Sequence, residues 1–96
     1  MDFKVTFSKS ALRELEEIVN FIGTDDPDEA KSFRDKLLKK AISLHRFPFR
    51  HARFHGRANV RKLPFSSYII FYRINEIKRR VVVLHFWHGA RQPPFL

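Results

Sequence analysis

The chain has 96 residues, 44% of them hydrophobic, and no cysteine, which suffices for one domain core and excludes disulfides and thiolate metal sites. Its formal charge is +9, and residues 46–96 contain 11 lysines and arginines but only one acidic residue, Glu76, so the second half predicts a surface that attracts polyanions. The first residues lack the apolar run of a signal peptide, so none is expected, and no apolar run of about 18 residues occurs. We therefore expect a cytoplasmic protein, a single domain over residues 1–96, with no membrane partner.

The first quarter of the chain predicts a short strand and a helix. Phe3, Val5 and Phe7 alternate with polar residues, as in a half-buried strand. Ser8 or Ser10 can cap the helix that follows, and Gly23 ends it. The residues expected on its apolar face are Leu12, Leu15, Ile18, Val19 and Ile22, and those expected in water are Arg13, Glu14, Glu16 and Glu17.

A second helix follows after a short turn. Asp26 is placed to cap it, Pro27 suits the first helical position, and Glu29 stands three residues after the cap. Phe47 and Pro48 end the helical pattern. Its apolar stripe consists of Ala30, Phe33, Leu37, Ala41 and Leu44. Because few residues separate the two helices, we expect an antiparallel helical hairpin.

The rest of the chain predicts a basic loop and three strands. Residues 49–58 follow neither the helical nor the strand period and combine cations with aromatic anchors. One strand begins at Val60 and breaks at Pro64, and a second covers residues 67–74. Residues 81–87 read as a central strand buried on both faces. The order β-α-α-β-β-β favours an α+β fold, in which an antiparallel sheet is packed on one face by the N-terminal helical hairpin.

The polar residues of the strands suggest few kinds of chemistry. The histidine pairs His51 with His55 and His85 with His88 have only Glu76 as a further carboxylate in this half of the chain, so no metal site is expected. No glycine-rich phosphate loop is present, and we expect no cofactor. A metal-free ribonuclease stays possible, because histidines and cations can supply a base, an acid and charge stabilisation. His85, sharing a face with Val83 and Trp87, is more simply a residue at the edge of the core.

Two segments resemble a known family. Leu63-Pro64-Phe65-Ser66-Ser67-Tyr68, leading into Ile70-Phe71-Tyr72-Arg73-Ile74, and the stretch from Val83 through His85-Phe86-Trp87-His88-Gly89-Ala90-Arg91 are similar to the RelE/ParE superfamily of toxins from bacterial type II toxin–antitoxin modules. The resemblance covers essentially the whole chain. It implies either of two activities. RelE-like members are ribosome-dependent endonucleases that cleave mRNA, and ParE-like members inhibit DNA gyrase and block replication.

The resemblance favours the ParE-like branch, whose members are not enzymes. RelE-like nucleases tend to have an arginine straight after the tyrosine of the third strand, where this chain has Ile69. For a gyrase inhibitor, we expect Arg73, His88 and Arg91 to contact the target, with the C-terminal tail giving specificity. For a metal-independent nuclease, the candidate catalytic residues are Arg61, Lys62, Arg73, His88 and Arg91. A third reading is a non-toxic nucleic-acid-binding module in which Tyr68, Tyr72 or Trp87 stack on bases.

The resemblance also implies a partner. A cognate antitoxin with an acidic, amphipathic segment is expected to fold across the toxin and form a hetero-oligomer with it. Its charge would neutralise the basic half, and its apolar residues would cover the helical hairpin. The residues that we expect at this interface are Leu12, Leu15, Val19, Arg61 and Arg73.

Overall fold

A four-stranded sheet carries two helices on one of its faces. In the computed structural model, which describes residues 2–55, 57 and 59–94, the elements are β1 (Lys4–Phe7), α1 (Lys9–Gly23), α2 (Pro27–Ile42), β2 (Val60–Phe65), β3 (Tyr68–Asn75) and β4 (Arg80–His88). Two single 3₁₀ turns, Ser43–His45 and Pro48–Arg50, lead from α2 towards the sheet. The α+β class and the predicted order of elements are confirmed.

The strands are ordered β1-β4-β3-β2, which makes β4 a central strand as predicted. The expectation of an antiparallel sheet holds for β2, β3 and β4, whereas β1 pairs with β4 in parallel, so the sheet is mixed. The difference arises because the helical hairpin lets the chain leave β1 and re-enter the sheet at its far edge. The last strand of the β2-β3-β4 meander then runs in the same direction as β1.

The main core lies between the helices and one face of the sheet. Side chains at alternate positions of β3 and β4 fill it, including Ile70, Tyr72, Val81, Val83 and Phe86. On the other face, which we call the open face, Phe54 of the basic loop packs on Phe71 with ring centroids 5.3 Å apart, and Val60 is also fully buried. β4 is therefore not buried on both faces as predicted, because the helices cover one face only.

A bulge interrupts the pairing of β3 and β4. Phe71 pairs with His85 and Tyr72 pairs with Val83, so Leu84 is an extra residue in β4. The bulge reverses the alternation of side chains, and Val83 and His85 lie on opposite faces of the sheet. The predicted sharing of a face is therefore wrong for Val83 and right for Trp87, since the strand is not regular through Leu84.

The helices begin and end close to the predicted positions, but α1 is rotated from the predicted face. Ser8 is its N-cap, and the Ser8 hydroxyl accepts a hydrogen bond from the Ala11 amide at 3.0 Å. Ala11 is buried in the core while Leu12 is half exposed, and Glu14, predicted to be in water, is largely buried. In α2, Asp26 caps as predicted, accepting from the Glu29 amide at 3.1 Å.

β2 continues through Pro64, where the sequence predicted a break. Pro64 pairs with Ile69, and it is tolerated because β2 is an edge strand. Across the described ranges, no helix is both long and apolar enough to cross a membrane.

Candidate functional site

The chain folds back on itself after β4 in a segment, residues 88–92, that we call the C-terminal turn. The Gly89 amide donates to the Ser67 carbonyl at 2.8 Å, and the Ala90 amide donates to Nδ1 of His88 at 3.1 Å. A Cβ at position 89 would lie 3.2 Å from the Ser67 oxygen, so glycine allows this close approach. Because Nδ1 of His88 accepts a hydrogen bond, the N–H of the neutral imidazole is on Nε2.

The indole of Trp87 holds the other end of this turn. Its Nε1–H donates to the carbonyl of Gln92 at 2.9 Å, and the guanidinium of Arg91 lies 4.4 Å from the ring centroid. Stacking on an aromatic ring restrains an arginine side chain while leaving its planar charge exposed. The turn therefore presents His88 and Arg91 together. The last two residues of the predicted C-terminal tail, 95–96, lie outside the described residues.

A cleft of about 630 Å³ separates the C-terminal turn from α1. Its sheet side carries Tyr68 and His88, whose rings meet edge to face with centroids 5.2 Å apart. Burial raises the pKa of the Tyr68 hydroxyl, so this group is neutral at physiological pH. On the helix side, the Phe21 ring is 77% exposed and stands at the rim. The cleft thus combines exposed aromatic surface with charged groups of both signs, as protein-binding surfaces often do.

A largely buried hydrogen bond between Glu14 and His85 fixes α1 against β4 beside this cleft. A carboxylate oxygen of Glu14 lies 3.0 Å from Nδ1 of His85, and the same carboxylate accepts the backbone N–H of Phe86 at 3.1 Å. β1 pairs with β4 only as far as Val83, so Glu14 replaces the missing strand partner at Phe86. His85 is therefore held at the edge of the core, as expected from the sequence.

The predicted nuclease residues fall into separate places. Lys62 and Arg73 lie on the open face as diagonal neighbours around Phe71. Arg73 is five residues along β3 from Tyr68, the partner of His88, which corresponds to about 17 Å. The structure therefore brings His88 and Arg91 together and leaves Lys62 and Arg73 as a second pair.

Arg61 has a role within the fold. Its guanidinium donates to the carbonyl oxygens of Phe49 at 3.1 Å and His51 at 2.7 Å, which holds the basic loop against β2. Burial, followed by the nearby cations Arg50, Lys40 and Arg61, lowers the pKa of His51. Within the described ranges, no three side chains of the metal-binding types are grouped as a metal ion requires.

The residues expected to bind an antitoxin also differ in accessibility. Leu12 is 51% exposed, and Val19 lines a groove between α1 and α2. Leu15 lies in the core at 8% exposure, so it is not available to a partner. Of the aromatic residues proposed to stack on bases, Tyr72 is fully buried, and that role is wrong for it.

Sequence reasoning missed two residues of the cleft, Glu14 and Phe21. The sequence predicts Glu14 in water with its charged neighbours and does not place Phe21 on the apolar face. Their spacing was a usable signal, because residues seven apart lie on one side of a helix, as do residues at i and i+3. Glu14, Glu17 and Phe21 therefore share a side of α1, and that side faces the C-terminal turn.

Comparison with known proteins gives a family and a fold. The sequence model described as the ParE toxin of the type II toxin–antitoxin system, parDE, matches residues 5–93. A search of curated proteins gives no match. Among solved structures, a chain of the chromosomal ParDE toxin–antitoxin system of P. aeruginosa superposes with a TM-score of 0.77 at 13% identity, over 90% of this chain and 95% of that one.

Two further structures are similar. A chain of a RelBE toxin–antitoxin complex from Mycobacterium tuberculosis gives a TM-score of 0.68 at 22% identity, covering 92% of this chain and 99% of that one. A mutant of the E. coli toxin RelE in the free state gives 0.69 at 20% identity, covering 94% and 86%. At these identities the structural matches establish the fold.

Proposed function

We propose that this chain, which belongs to the ParE toxin family of type II toxin–antitoxin systems, arrests growth by binding DNA gyrase and blocking replication. In this proposal the protein is not an enzyme. It acts through a surface that contacts its target, and a cognate antitoxin covers the toxin when growth resumes. The family match fixes the class of toxin, and the target is inferred from the geometry of the site.

The observation that carries the proposal is the C-terminal turn. His88 and Arg91 are presented together by a rigid strand end, with Arg91 held on Trp87. Arginine and aromatic residues grouped at a cleft are the residue types that dominate binding energy at protein interfaces. Arg73 was expected in the same contact, but it is about 17 Å away along the sheet. Arg73 would therefore contact the target only if the target also covered a second surface, separate from the C-terminal turn.

The first test is a supercoiling assay with purified gyrase and relaxed plasmid. Wild-type protein should inhibit supercoiling, and Arg91→Ala should weaken inhibition at least tenfold, because an interface arginine of this kind contributes about 2 kcal/mol or more. Arg91→Lys should fall between the two, since lysine keeps the charge but loses the planar guanidinium.

Arg80→Ala is the matched control. Arg80 is exposed at the end of β4 opposite the C-terminal turn, so its replacement removes the same charge at a distance from Arg91. It should inhibit gyrase as well as the wild type does. Equal inhibition by Arg91→Ala, with thermal unfolding unchanged, would exclude Arg91 from the target contact. Absence of inhibition by the wild type would exclude gyrase as the target.

A ribosome-dependent mRNA endonuclease is the second candidate, favoured by one observation. Lys62, Arg73 and His85 surround Phe71 on the open face, which groups two cations with a histidine. His85 is bound to Glu14, and His88 lies at the other end of β3, so a base and an acid do not meet among the described residues. Cuts in mRNA by the wild type in a translating extract, lost in Arg73→Ala, would establish this candidate instead.

The antitoxin is proposed to bind through α1 and the open face. Leu12 and Val19 offer apolar contact on the helical hairpin, and Arg73 offers a positive charge on the sheet. Leu15 and Arg61 contribute to this surface only by supporting it from within the fold. An acidic segment that orders on binding fits such a surface, because it gains both charge neutralisation and apolar burial.

A further inference from the structure

A second positively charged site lies on the other side of the helical layer from α1. It is a pocket of about 410 Å³, which we call the α2 basic pocket, lined by Lys36, Lys39, Lys40, Ser43, Arg50 and Phe65. The lysines come from the last turns of α2, Arg50 from the second 3₁₀ turn and Phe65 from the end of β2. Residues from three parts of the chain thus converge on one concave surface.

The charge of this pocket is not balanced by the fold. In the part of the chain that the structure describes, no carboxylate oxygen lies within 4.0 Å of the side-chain nitrogens of its three lysines or Arg50. The nearest acidic residue in sequence, Asp35, pairs with Arg34 at 3.1 Å. The positive potential also extends beyond the pocket, because after burial the cations Arg50 and Lys40 are the largest causes that lower the pKa of His51.

Helix capping explains only part of this arrangement. Cations in a last turn complement the helix dipole, which accounts for Lys39 and Lys40. Lys36 lies one turn earlier, and Arg50 is outside the helix, so the dipole explains neither of them. Placing Lys36 four residues from Lys40 brings like charges together on one helix face, which disfavours the isolated helix. A bound anion would relieve that repulsion.

The cations of the pocket lie in a row, and a row of cations fits a chain of phosphates better than one small anion. Lys36 and Lys40 are about 6 Å apart along the axis of α2, and Arg50 extends the row beyond the helix end. Phe65, half-buried against Phe33 with centroids 5.9 Å apart, gives the pocket an apolar floor. A row of cations beside an apolar wall is suited to a sugar–phosphate backbone, which is charged along one line and apolar between the charges.

The pocket lies at the same end of the sheet as the C-terminal turn. Phe65 pairs with Tyr68, and Tyr68 pairs with His88. Two strand spacings, about 10 Å, therefore separate the strands that carry the two sites. We propose that the α2 basic pocket binds the phosphodiester backbone of duplex DNA, so that the toxin contacts gyrase through the C-terminal turn and, beside it, the DNA that gyrase holds. The inference rests on the proposed function, because DNA is named as the polyanion on the ground that the proposed target, gyrase, holds DNA.

The test measures DNA binding without gyrase. Fluorescently labelled duplex DNA of mixed sequence, about two helical turns long, is titrated with the full chain between about 50 and 200 mM salt. Four phosphate contacts give a slope of about −3.6 for log affinity against log salt concentration. The triple variant Lys36→Gln, Lys40→Gln and Arg50→Gln should bind at least about tenfold more weakly, with a slope shallower by about 2.7.

The matched control removes the same charges elsewhere. Lys9→Gln, Lys78→Gln and Arg80→Gln replace two lysines and one arginine that are exposed and outside the pocket. Near wild-type binding by this control supports the proposal, whereas an equal loss means that net charge alone attracts DNA and overturns it. Tighter binding to an RNA duplex than to DNA also overturns it, as does the absence of salt-dependent binding by the wild type.

A second assay separates this inference from the proposed function. In the supercoiling assay, the pocket variant should need several-fold more protein for half inhibition, and Arg91→Ala should lose inhibition while still binding DNA. An unchanged inhibition curve for the pocket variant would overturn the DNA contact at gyrase. If the wild type binds DNA through the pocket but leaves gyrase active, DNA binding by the α2 basic pocket is supported and gyrase is excluded as the target.

Discussion

Tyr72 connects the core of the molecule to the 3₁₀ turn Pro48–Arg50, where the basic loop begins. Its side chain is fully buried in β3, and its hydroxyl donates to the Pro48 carbonyl at 2.6 Å. Burial raises the pKa of this hydroxyl from its ordinary value of 10 to about 12, against the opposing effect of Arg61 and Arg50. The group is therefore protonated in the folded state up to strongly alkaline pH, because the site favours the neutral phenol.

Tyr72→Phe tests both properties of this side chain. We expect the free energy of unfolding at neutral pH to fall by about 1 kcal/mol, since the Pro48 carbonyl loses a buried donor. In the wild type, both states keep the phenol proton below pH 10, so its full contribution is present there. Between about pH 10 and 12 the unfolded state loses the proton first, so stability falls as pH rises. The variant should lack this part of the alkaline loss in urea unfolding.

Tyr68→Phe serves as the comparison for the pH dependence. Its hydroxyl pKa is also raised by burial, but the residue is only partly buried. We expect Tyr68→Phe to retain most of the alkaline loss of stability. Identical pH profiles for the wild type and Tyr72→Phe would show that the Tyr72 hydroxyl does not titrate differently in the two states.

At the scale of elements, Ser8 joins the start of α1 to the central strand. Its hydroxyl accepts from the Ala11 amide at 3.0 Å and donates to the Leu84 carbonyl of β4 at 2.8 Å. One side chain therefore caps the helix and satisfies the strand edge where β1 ends. Among the described residues, the side chain of Asp26, the cap of α2, makes only the capping hydrogen bond to the Glu29 amide.

Ser8→Ala should therefore cost more stability than Asp26→Ala. Loss of a cap costs about 1 kcal/mol, and the lost bond to Leu84 adds about 1 kcal/mol more, so we expect about 2 kcal/mol against about 1 kcal/mol. Urea unfolding of both variants measures the difference. Equal losses would mean that the Ser8 bond to β4 contributes no net stability.

Most of the elements could be predicted from the sequence, and the departures have local causes. Both helix caps and the order of elements follow from residue patterns that act within a few positions, such as Asp26-Pro27. The parallel pairing of β1 depends on contacts between the two ends of the chain, which local patterns do not encode. The bulge at Leu84 could not be predicted, because the residues around it favour a strand and none of them indicates an irregularity.

The candidate site was predictable only where it is continuous in sequence. His88 and Arg91 lie in one turn and were found together. Arg73 was grouped with them because neighbouring strands suggest proximity, yet distance along a strand separates them by about 17 Å. Glu14 could not be linked to His85 from local patterns, since the two residues are 71 positions apart in the sequence.

At the scale of the whole molecule, the positive charge on the folded surface is not confined to the second half of the chain. The first 45 residues have nearly balanced charge, but two of the three acidic residues of α2, Asp28 and Glu29, lie in its first turn, and Lys39 and Lys40 lie in its last. Folding places those lysines beside Arg50 and Phe65. The positive surface therefore includes part of the first half, and an acidic partner can meet cations on both layers of the fold.

Leu12→Asp tests the proposed antitoxin surface in the intact complex. The variant places a carboxylate on a half-exposed position of α1, where an acidic, amphipathic segment would be repelled and would lose apolar contact. We expect growth arrest even when the cognate antitoxin is co-expressed, together with loss of co-purification.

Ile42→Asp is the matched control, because Ile42 is 50% exposed and Leu12 is 51% exposed. It should remain neutralised by the same partner. Full neutralisation of Leu12→Asp would place the antitoxin elsewhere on the toxin.

The bulge in β4 also determines whether a residue of this strand can be deleted without turning the side chains that follow it to the other face. With Leu84 as the extra residue, Phe86 faces the core while His85 and Trp87 face outward. A regular strand of the same sequence would turn His85 and Trp87 inward and expel Phe86. Conversely, a strand one residue shorter would keep the observed facing with no bulge at all. Loss of a single codon at this point is therefore a change that the sheet can accommodate while the C-terminal turn keeps its orientation.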